Sequence, residues 1–291
     1  MTACPACGGT AFEHVPYPRA GRHYDGPAFT AIAVCHGCGM GVAEPRATQA
    51  QLDAFYHGGG YWGGTGGAGQ SLHARNQCEH RARFLADRAP PAFELRVLDV
   101  GAGEGWLGSA LRRIAGARVV AYDFVEPDPR LRELAASAGG PAGRGFARLE
   151  DAAGPYEIVC LNQVLEHVAD PVAFAADAAR RLDPAGVLYV ESPNADHRFK
   201  PDVFPHSLFF SPTALRRVCE QTGLETLACE AFGRHARTVD RAAGFAARAG
   251  FRLALAAGAE RLAQRLDNAI WDYAARPEGI WLRWIGRRAG D

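Results

Sequence analysis

The stretch VLDVGAGEGWLG, Val97 to Gly108, runs from apolar residues into closely spaced glycines and reopens as an amphipathic segment. That pattern reads as strand, turn, helix. Two glycine registers fit it. Counted from Gly103, the spacing Gly103-x-Gly105-x-x-Gly108 matches a dinucleotide-binding turn. Counted from Asp99, an acid leads three glycines, Gly101, Gly103 and Gly105. A pyrophosphate needs its tight-turn glycine directly after the strand, so the first register leaves Gly101 and Asp99 without a task. The second uses both. Asp99 offers a carboxylate to the ammonium side of a zwitterionic ligand, and Gly101 and Gly103 let the backbone approach a nucleoside that carries no phosphate. Gly108 is then the point where the following helix packs close to the sheet.

Working outward, strands and helices alternate. Leu95 to Val100 reads as a strand, and Trp106 to Ala115 as a helix with Trp106, Leu107, Ala110, Leu111 and Ile114 on one face. Arg118 to Tyr122 is a strand, Pro129 to Ala138 a helix, and Gly145 to Leu149 a weak strand. Tyr156 to Leu161 is a buried strand. Asp170 and Pro171 supply an N-cap and a first-turn proline for a helix up to Leu182. Val187 to Glu191 is a strand, Ser211-Pro212 opens a helix closed by Gly223, and Leu224 to Cys229 is a further strand. Repeated βα units predict an α/β fold, a doubly wound, mostly parallel, Rossmann-like sheet. Ligands bind such sheets at the C-terminal ends of the strands. Asp123, after the second strand, is placed to accept two ribose hydroxyls.

The chain has 291 residues, 48% hydrophobic and 22% charged, with a net charge of +0. This is an ordinary globular composition with no global basic field to attract nucleic acid or anionic membrane. Lys200 is the only lysine, a bias read as one of coding and not of contacts. No apolar run reaches the ~18 residues of a membrane span, and the N-terminus has no signal-like pattern, so a cytoplasmic location is expected.

Cys4-x-x-Cys7 and Cys35-x-x-Cys38 are two pairs at metal-ligand spacing, followed by Gly8 and Gly9 and by Gly39. Two such knuckles make a closed tetrahedral site, which favours structural Zn2+ in a ribbon. Phe29 to Val34 reads as a ribbon strand. Cys78, Cys160, Cys219 and Cys229 read as core thiols.

The expected organisation is a zinc ribbon over 1–46, a glycine-rich linker or lid over 47–70, a ligand-binding domain over 71–234 and a helical extension over 235–291. Thr48 caps a short helix, and Ser71 caps one running to Arg88. Tyr61 and Trp62 lie in the glycine-rich stretch, which reads equally as linker or lid. In the tail Leu255, Ala259, Leu262, Leu266 and Ile270 fall at helical spacing, packed on the core or on a second copy of the chain. Weak membrane-surface association is the minority reading, because Glu260, Asp267 and Asp272 dilute the positive charge.

Residues Val97 to Gly105, Asp123, Leu161-Asn-Gln-Val-Leu-Glu-His-Val-Ala-Asp-Pro171, Leu182 to Gly186, Ser192-Pro-Asn194 and His206 to Pro212 resemble class I S-adenosylmethionine (SAM) dependent methyltransferases, in the subgroup of ubiquinone-type and natural-product enzymes. The likeness covers about residues 70 to 232. The two-knuckle ribbon ahead of it is similar to that of deoxysugar C-methyltransferases, although their large C-terminal domain is missing. The resemblance implies in-line methyl transfer to O, N or C of a small-molecule acceptor, a sugar or secondary metabolite. It implies that Asp99, Gly101, Ala102 and Gly103 hold the methionine end of SAM, and Asp123 with Phe124 the ribose. Glu150 or Asp151 reaches the adenine, and Asn162 and Gln163 line the opening. His167 and His206 are the candidate bases, with Glu166 and His197 weaker choices. The alternative is a ribosomal-RNA or tRNA methyltransferase with an RNA-binding ribbon. The absence of a basic excess there (Arg19, Arg22 and Arg46 against Glu13, Asp25 and Glu44) weighs against it.

Overall fold

The computed structural model describes residues 3–19, 26–57, 68–91, 94–139, 143–236 and 241–289. In chain order the elements are β1 (Phe12–Pro16), β2 (Ala31–Cys35), β3 (Gly41–Glu44), α1 (Gln49–His57), α2 (Ala68–Ala86), β4 (Leu95–Val100), α3 (Trp106–Ala115), β5 (Val119–Val125), α4 (Pro129–Gly139), β6 (Gly145–Phe146), β7 (Tyr156–Asn162), α5 (Pro171–Ala179), β8 (Leu182–Pro193), β9 (Leu208–Phe209), α6 (Pro212–Glu220), β10 (Leu224–Ala236), α7 (Arg241–Ala256), α8 (Glu260–Ile270), β11 (Trp271–Ala275) and β12 (Trp281–Arg288).

Eight strands form one sheet in the order β11-β10-β12-β8-β7-β4-β5-β6. Strands β4 to β8 are parallel where they pair. Strand β12 is antiparallel to both β8 and β10, so β10 runs with the parallel set. The chain leaves β4 towards β5 and β6, then returns to the other side of β4 with β7. This reversal opens a crevice at the C-terminal strand ends, as the doubly wound fold requires.

The sheet is buried on both faces. Leu98, Val100, Val159, Leu161, Leu188 and Val190 enter one core, while Val97, Ile158, Cys160 and Tyr189 enter the other. That is the period-two alternation of strands covered by helices on each side. Helix α3 presses on the second core through Leu107, Ala110 and Leu111. A Cβ at Gly108 would stand 2.5 Å from the Tyr122 ring, so this glycine does set the helix close to β5.

Strands β5, β8 and β10 run longer and helix α5 ends earlier than the sequence reading, and three further differences change the organisation. Helix α2 begins at Ala68, so Ser71 lies inside it and not at its cap. The weak strand shrinks to Gly145–Phe146, and Leu149–Asp151 forms a 3-10 turn. The tail is helical only to Ile270 and then supplies β11 and β12 to the central sheet. Leu282, Trp284 and Ile285 are fully buried there, and Trp284 Nε1 donates to Thr226 Oγ1 at 2.8 Å. Trp281 and Trp284 lie on β12, the strand between β8 and β10, where aromatic residues suit a sheet. Most of the glycine-rich stretch, with Tyr61 and Trp62, lies outside the described residues.

The N-terminal segment builds a second sheet, β1-β2-β3-β9, whose last strand comes from the distant residues 208 and 209. Ser211 Oγ donates to Cys38 O at 2.5 Å, and Cys4, Cys35 and Cys38 pack in the same core as Leu98 and Leu161. The segment is therefore joined to the sheet domain by backbone pairing and by a shared core.

Candidate functional site

A cavity of about 1240 Å3 opens at the C-terminal ends of β4, β5 and β7, where the strand order reverses. Its floor is the glycine turn. Gly101, Gly103 and Gly105 all have positive φ, at 73°, 55° and 74°. Gly101 and Ala102 donate their N–H groups to Val125 O, which folds the turn back over β5. Gly105 is the residue before α3, so the helix begins after the third glycine, as the Asp99 register requires.

Asp99 reaches the cavity from inside β4. It is 1% exposed. Tyr122 Oη donates to Asp99 Oδ2, while Oδ1 is buried without a partner among the described residues. Burial pushes its carboxyl up to about 7, against the Tyr122 hydrogen bond and the Arg81 charge. An orphaned carboxylate oxygen on a cavity floor invites a cationic or N–H donor from a ligand. Asn162, at the end of β7, likewise has a buried Oδ1 without a partner and lines the cavity.

Asp123 is not at the cavity. Strand β5 continues to Val125, so Asp123 lies inside it, and Tyr122 and Phe124 face α3. Asp123 therefore faces the other way. There it accepts from Arg144 N at 2.9 Å, from Arg144 Nη2 at 2.8 Å and from Tyr156 Oη at 2.9 Å. Phe124 stacks on Tyr122 with centroids 6.2 Å apart and is core, not pocket. The acid that reaches the cavity is Glu126, one residue past the strand. It accepts from Gly103 N at 2.9 Å and from Asp128 N at 3.0 Å. Glu150 lines the cavity beside Arg148, whereas Asp151 is exposed and outside it.

Opposite the glycine turn stands a second group. Gln163 holds φ at 58°, an uncommon backbone for a side chain other than glycine. Its Nε2 donates to Glu191 Oε1 at 3.0 Å, and Glu191 also accepts from Tyr189 Oη and from both arms of Arg81. Arg81 and Glu191 are both buried, and they neutralise each other beneath the cavity. His167 and His206 are brought together, with ring centroids 4.9 Å apart. Tyr56 Oη lies 2.6 Å from His167 Nδ1, and His167 Nε2 lies 4.0 Å from Glu166 Oε1. Burial drives the His167 imidazole well below its usual pKa, which favours the neutral ring. Burial also pushes the Glu166 carboxyl up to about 7. Glu166, His167 and His206 offer ligand atoms within 4.8 Å of one another, a spacing that a metal ion can also bridge. His197 is elsewhere, packed on Phe209.

Glu126, Glu166, Tyr56 and Lys200 are cavity residues that the sequence reading missed or undervalued. Glu126 was discoverable from the apolar run through Val125, which predicts a longer second strand. Nothing local in the sequence points Tyr56 at His167, 111 residues away.

At the N-terminus the four sulfurs of Cys4, Cys7, Cys35 and Cys38 lie within 4.8 Å of one another. Cys4 Sγ is 3.5 Å from Cys38 Sγ, and Cys7 Sγ is 3.5 Å from Cys35 Sγ. Gly8 and Gly39 take positive φ behind the knuckles, and a Cβ at Gly9 would stand 3.2 Å from Cys35 Sγ. Closely set thiols in glycine-lined turns fit a tetrahedral thiophilic ion.

The family profile described as "Methyltransferase domain" matches residues 72–228. The ubiquinone biosynthesis O-methyltransferase of Xanthomonas axonopodis pv. citri is 32% identical over 151 residues, 50% of this chain and 62% of that protein. The protein of the same name from Caulobacter vibrioides is 36% identical over 137 residues, 42% of this chain and 54% of that one. The chain thus spans little more than half the length of the curated relatives it matches. Among solved structures, a chain from the complex of the Haloferax volcanii Trm112 methyltransferase activator with a methyltransferase aligns at a TM-score of 0.53 and 15% identity. That alignment covers 82% of this chain and 98% of that one. At that identity the likeness shows the fold alone.

Proposed function

The chain belongs to the methyltransferase-domain family, and from that premise we propose that it transfers a methyl group from SAM to a small-molecule acceptor, at a hydroxyl oxygen. The observation that carries the reading is Asp99, whose buried, unpartnered Oδ1 faces a cavity floored by a positive-φ glycine turn. Asp99 would take the ammonium of SAM. Gly101, Ala102 and Gly103 would pass close to its methionine end, and Glu126 would take the ribose in place of Asp123. Glu150 and Asn162 border the adenine and methyl ends.

Bound SAM supplies an activated methyl on a sulfonium. The protein's part is to place the acceptor in line and to take a proton. His167 or His206 would accept the proton that the acceptor's hydroxyl gives up when its oxygen takes the methyl. Tyr56 holds His167, and Gln163 with the Arg81–Glu191 pair keeps the cavity wall rigid. Zn2+ is the proposed ion of the Cys4, Cys7, Cys35 and Cys38 site, in a structural role. A sugar or secondary metabolite is the proposed acceptor class. The RNA alternative draws no support from the relatives, which are named for ubiquinone biosynthesis.

The test is calorimetry with SAM and with NADH on one preparation, followed by methyl-labelled SAM with a panel of hydroxylated aromatics, nucleoside-diphosphate sugars and total RNA. NADH binding without SAM binding overturns the reading, and label on RNA alone restores the alternative. Transfer that survives EDTA assigns the Glu166–His167–His206 group to proton handling; transfer lost to EDTA and restored by Mg2+ assigns it to a cation.

A further inference from the structure

We propose that Asp196 and Tyr17 are positioning residues that set His206 as the base of the acceptor site, with the cysteine ribbon holding the backbone segment that carries it. The inference rests on the methyl-transfer reading above.

Asp196 is 1% exposed. It follows Ala195, which holds φ at 46°, a left-handed backbone that turns the carboxylate inward. Asp196 Oδ2 lies 3.1 Å from His206 Nδ1 and 2.9 Å from Lys200 Nζ. Burial opposes ionisation of Asp196, but the Lys200 ammonium on the same oxygen favours the carboxylate. An ionised carboxylate can only accept. With Nδ1 facing that carboxylate, a neutral His206 carries its proton there and keeps its lone pair on Nε2, in a ring that lines the cavity and lies 4.9 Å from that of His167. The Nδ1 contact is near but bent, and no aligned hydrogen bond satisfies that nitrogen yet. Catalytic pairs commonly tighten only when the substrate binds. The arrangement is the orienting half of an acid–imidazole pair, in which the acid fixes tautomer and ring direction. Lys200, the only lysine of the chain, belongs to it by neutralising the same carboxylate.

The backbone of His206 is held separately, and by the ribbon. Tyr17, buried between Phe29 and Phe209, donates its hydroxyl to His206 O at 2.9 Å. Ala43 N donates to Ser207 O at 2.8 Å, and β3 pairs with β9 through Val42↔Leu208 and Gly41↔Phe209. On its other side Ser207 N donates to Glu166 O at 2.8 Å. The His206 segment is thus stitched between the ribbon and the Glu166–His167 turn. A side chain on a loop keeps catalytic geometry only if such supports lock it. The ribbon meets that need with the edge of β3.

The experiment uses the full chain with 15N-labelled histidine, its His206 signals assigned by the His206→Gln variant. Long-range proton–nitrogen spectra at pH 7 read the tautomer directly. Wild type is expected to carry the Nδ1–H form. Asp196→Asn should shift it towards Nε2–H and lower kcat roughly 10^2- to 10^4-fold, with SAM affinity within about 2-fold. Asp196→Glu should recover the Nδ1–H form in part. Tyr17→Phe should keep the tautomer, speed amide exchange at residues 206–209 and lower kcat about 10-fold. Zinc chelation should speed the same exchange. An Nε2–H ring in wild type, or an unchanged tautomer in Asp196→Asn, overturns the proposal. So does unchanged exchange in both Tyr17→Phe and the chelated protein. Should Asp196→Asn fail to fold, the wild-type and Asp196→Glu tautomers still decide. A panel in which wild type methylates nothing counts against the methyl-transfer reading, while the tautomer result stands by itself.

Discussion

The cysteine cluster and the SAM-type cavity are both built on glycine turns at the ends of strands, yet they were legible in the sequence to different degrees. Each knuckle carries two ligands three residues apart, so local spacing names all four sulfurs, and the structure brings those four together. The cavity draws its groups from many separated segments, and for the acids after β5 strand register decides which side chain arrives. Asp123 and Glu126 differ by three residues. One is turned to Arg144 and Tyr156, the other to the glycine loop. A metal site is a property of short segments, whereas a cofactor site is a property of a sheet.

Breaking the local side of this comparison should have the largest effect. Cys35→Ser with Cys38→Ser should abolish the zinc binding proposed for the four cysteines and unfold their segment, since a structural zinc contributes about 10 kcal/mol or more to such a module. Metal stoichiometry and near-ultraviolet dichroism check it. Because β3 carries β9, the loss should spread to the His206 segment.

Next comes Asp99→Asn, which should weaken SAM binding by about 10- to 100-fold, the value of a hydrogen bond to a charged group. It should also raise stability at high pH. The native Asp99 carboxyl titrates near 7, above its unfolded value of 3.8. Between these values the native state binds more protons than the unfolded chain, so ionising Asp99 costs stability as pH rises to about 7 and the cost persists above it. Asparagine removes that cost. Calorimetry and melting curves from pH 5 to 9 read both effects, and equal pH slopes for the two proteins would count against a raised Asp99.

A sharper comparison is the pair Glu126→Gln and Asp123→Asn. The first should weaken SAM binding about 10-fold with little loss of stability, and the second should leave SAM affinity unchanged while costing about 1–3 kcal/mol of stability. Reversed results would return the ribose role to Asp123. The smallest effect is expected at Gly108→Ala. Alanine gains about 1 kcal/mol of helix propensity, but its Cβ would meet the Tyr122 ring and cost about 1–3 kcal/mol. The net should be a slight loss, seen as a melting point lowered by a few degrees.

Much of the fold was legible because its signals are local. The Asp99 register, the α3 face and the Asp170–Pro171 and Ser211–Pro212 helix starts each rest on a few neighbouring residues, and the structure keeps both caps. The tail was not legible. WLRWIGRR has no clean alternation, because β12 is an interior strand whose apolar residues enter both cores. A strand covered on both faces loses the period that identifies it.

The sequence by itself determined the βα order, the glycine register and the four cysteines, since each is set by spacing along the chain. Tertiary structure alone decided that Glu126 and not Asp123 meets the cavity, that the tail completes the sheet, and that the ribbon grips His206. Those outcomes depend on strand register and on pairing between segments distant in the chain, as between Trp281 and Pro193 or Gly41 and Phe209. Residue spacing cannot encode them, because a shift of one residue turns a side chain to the opposite face.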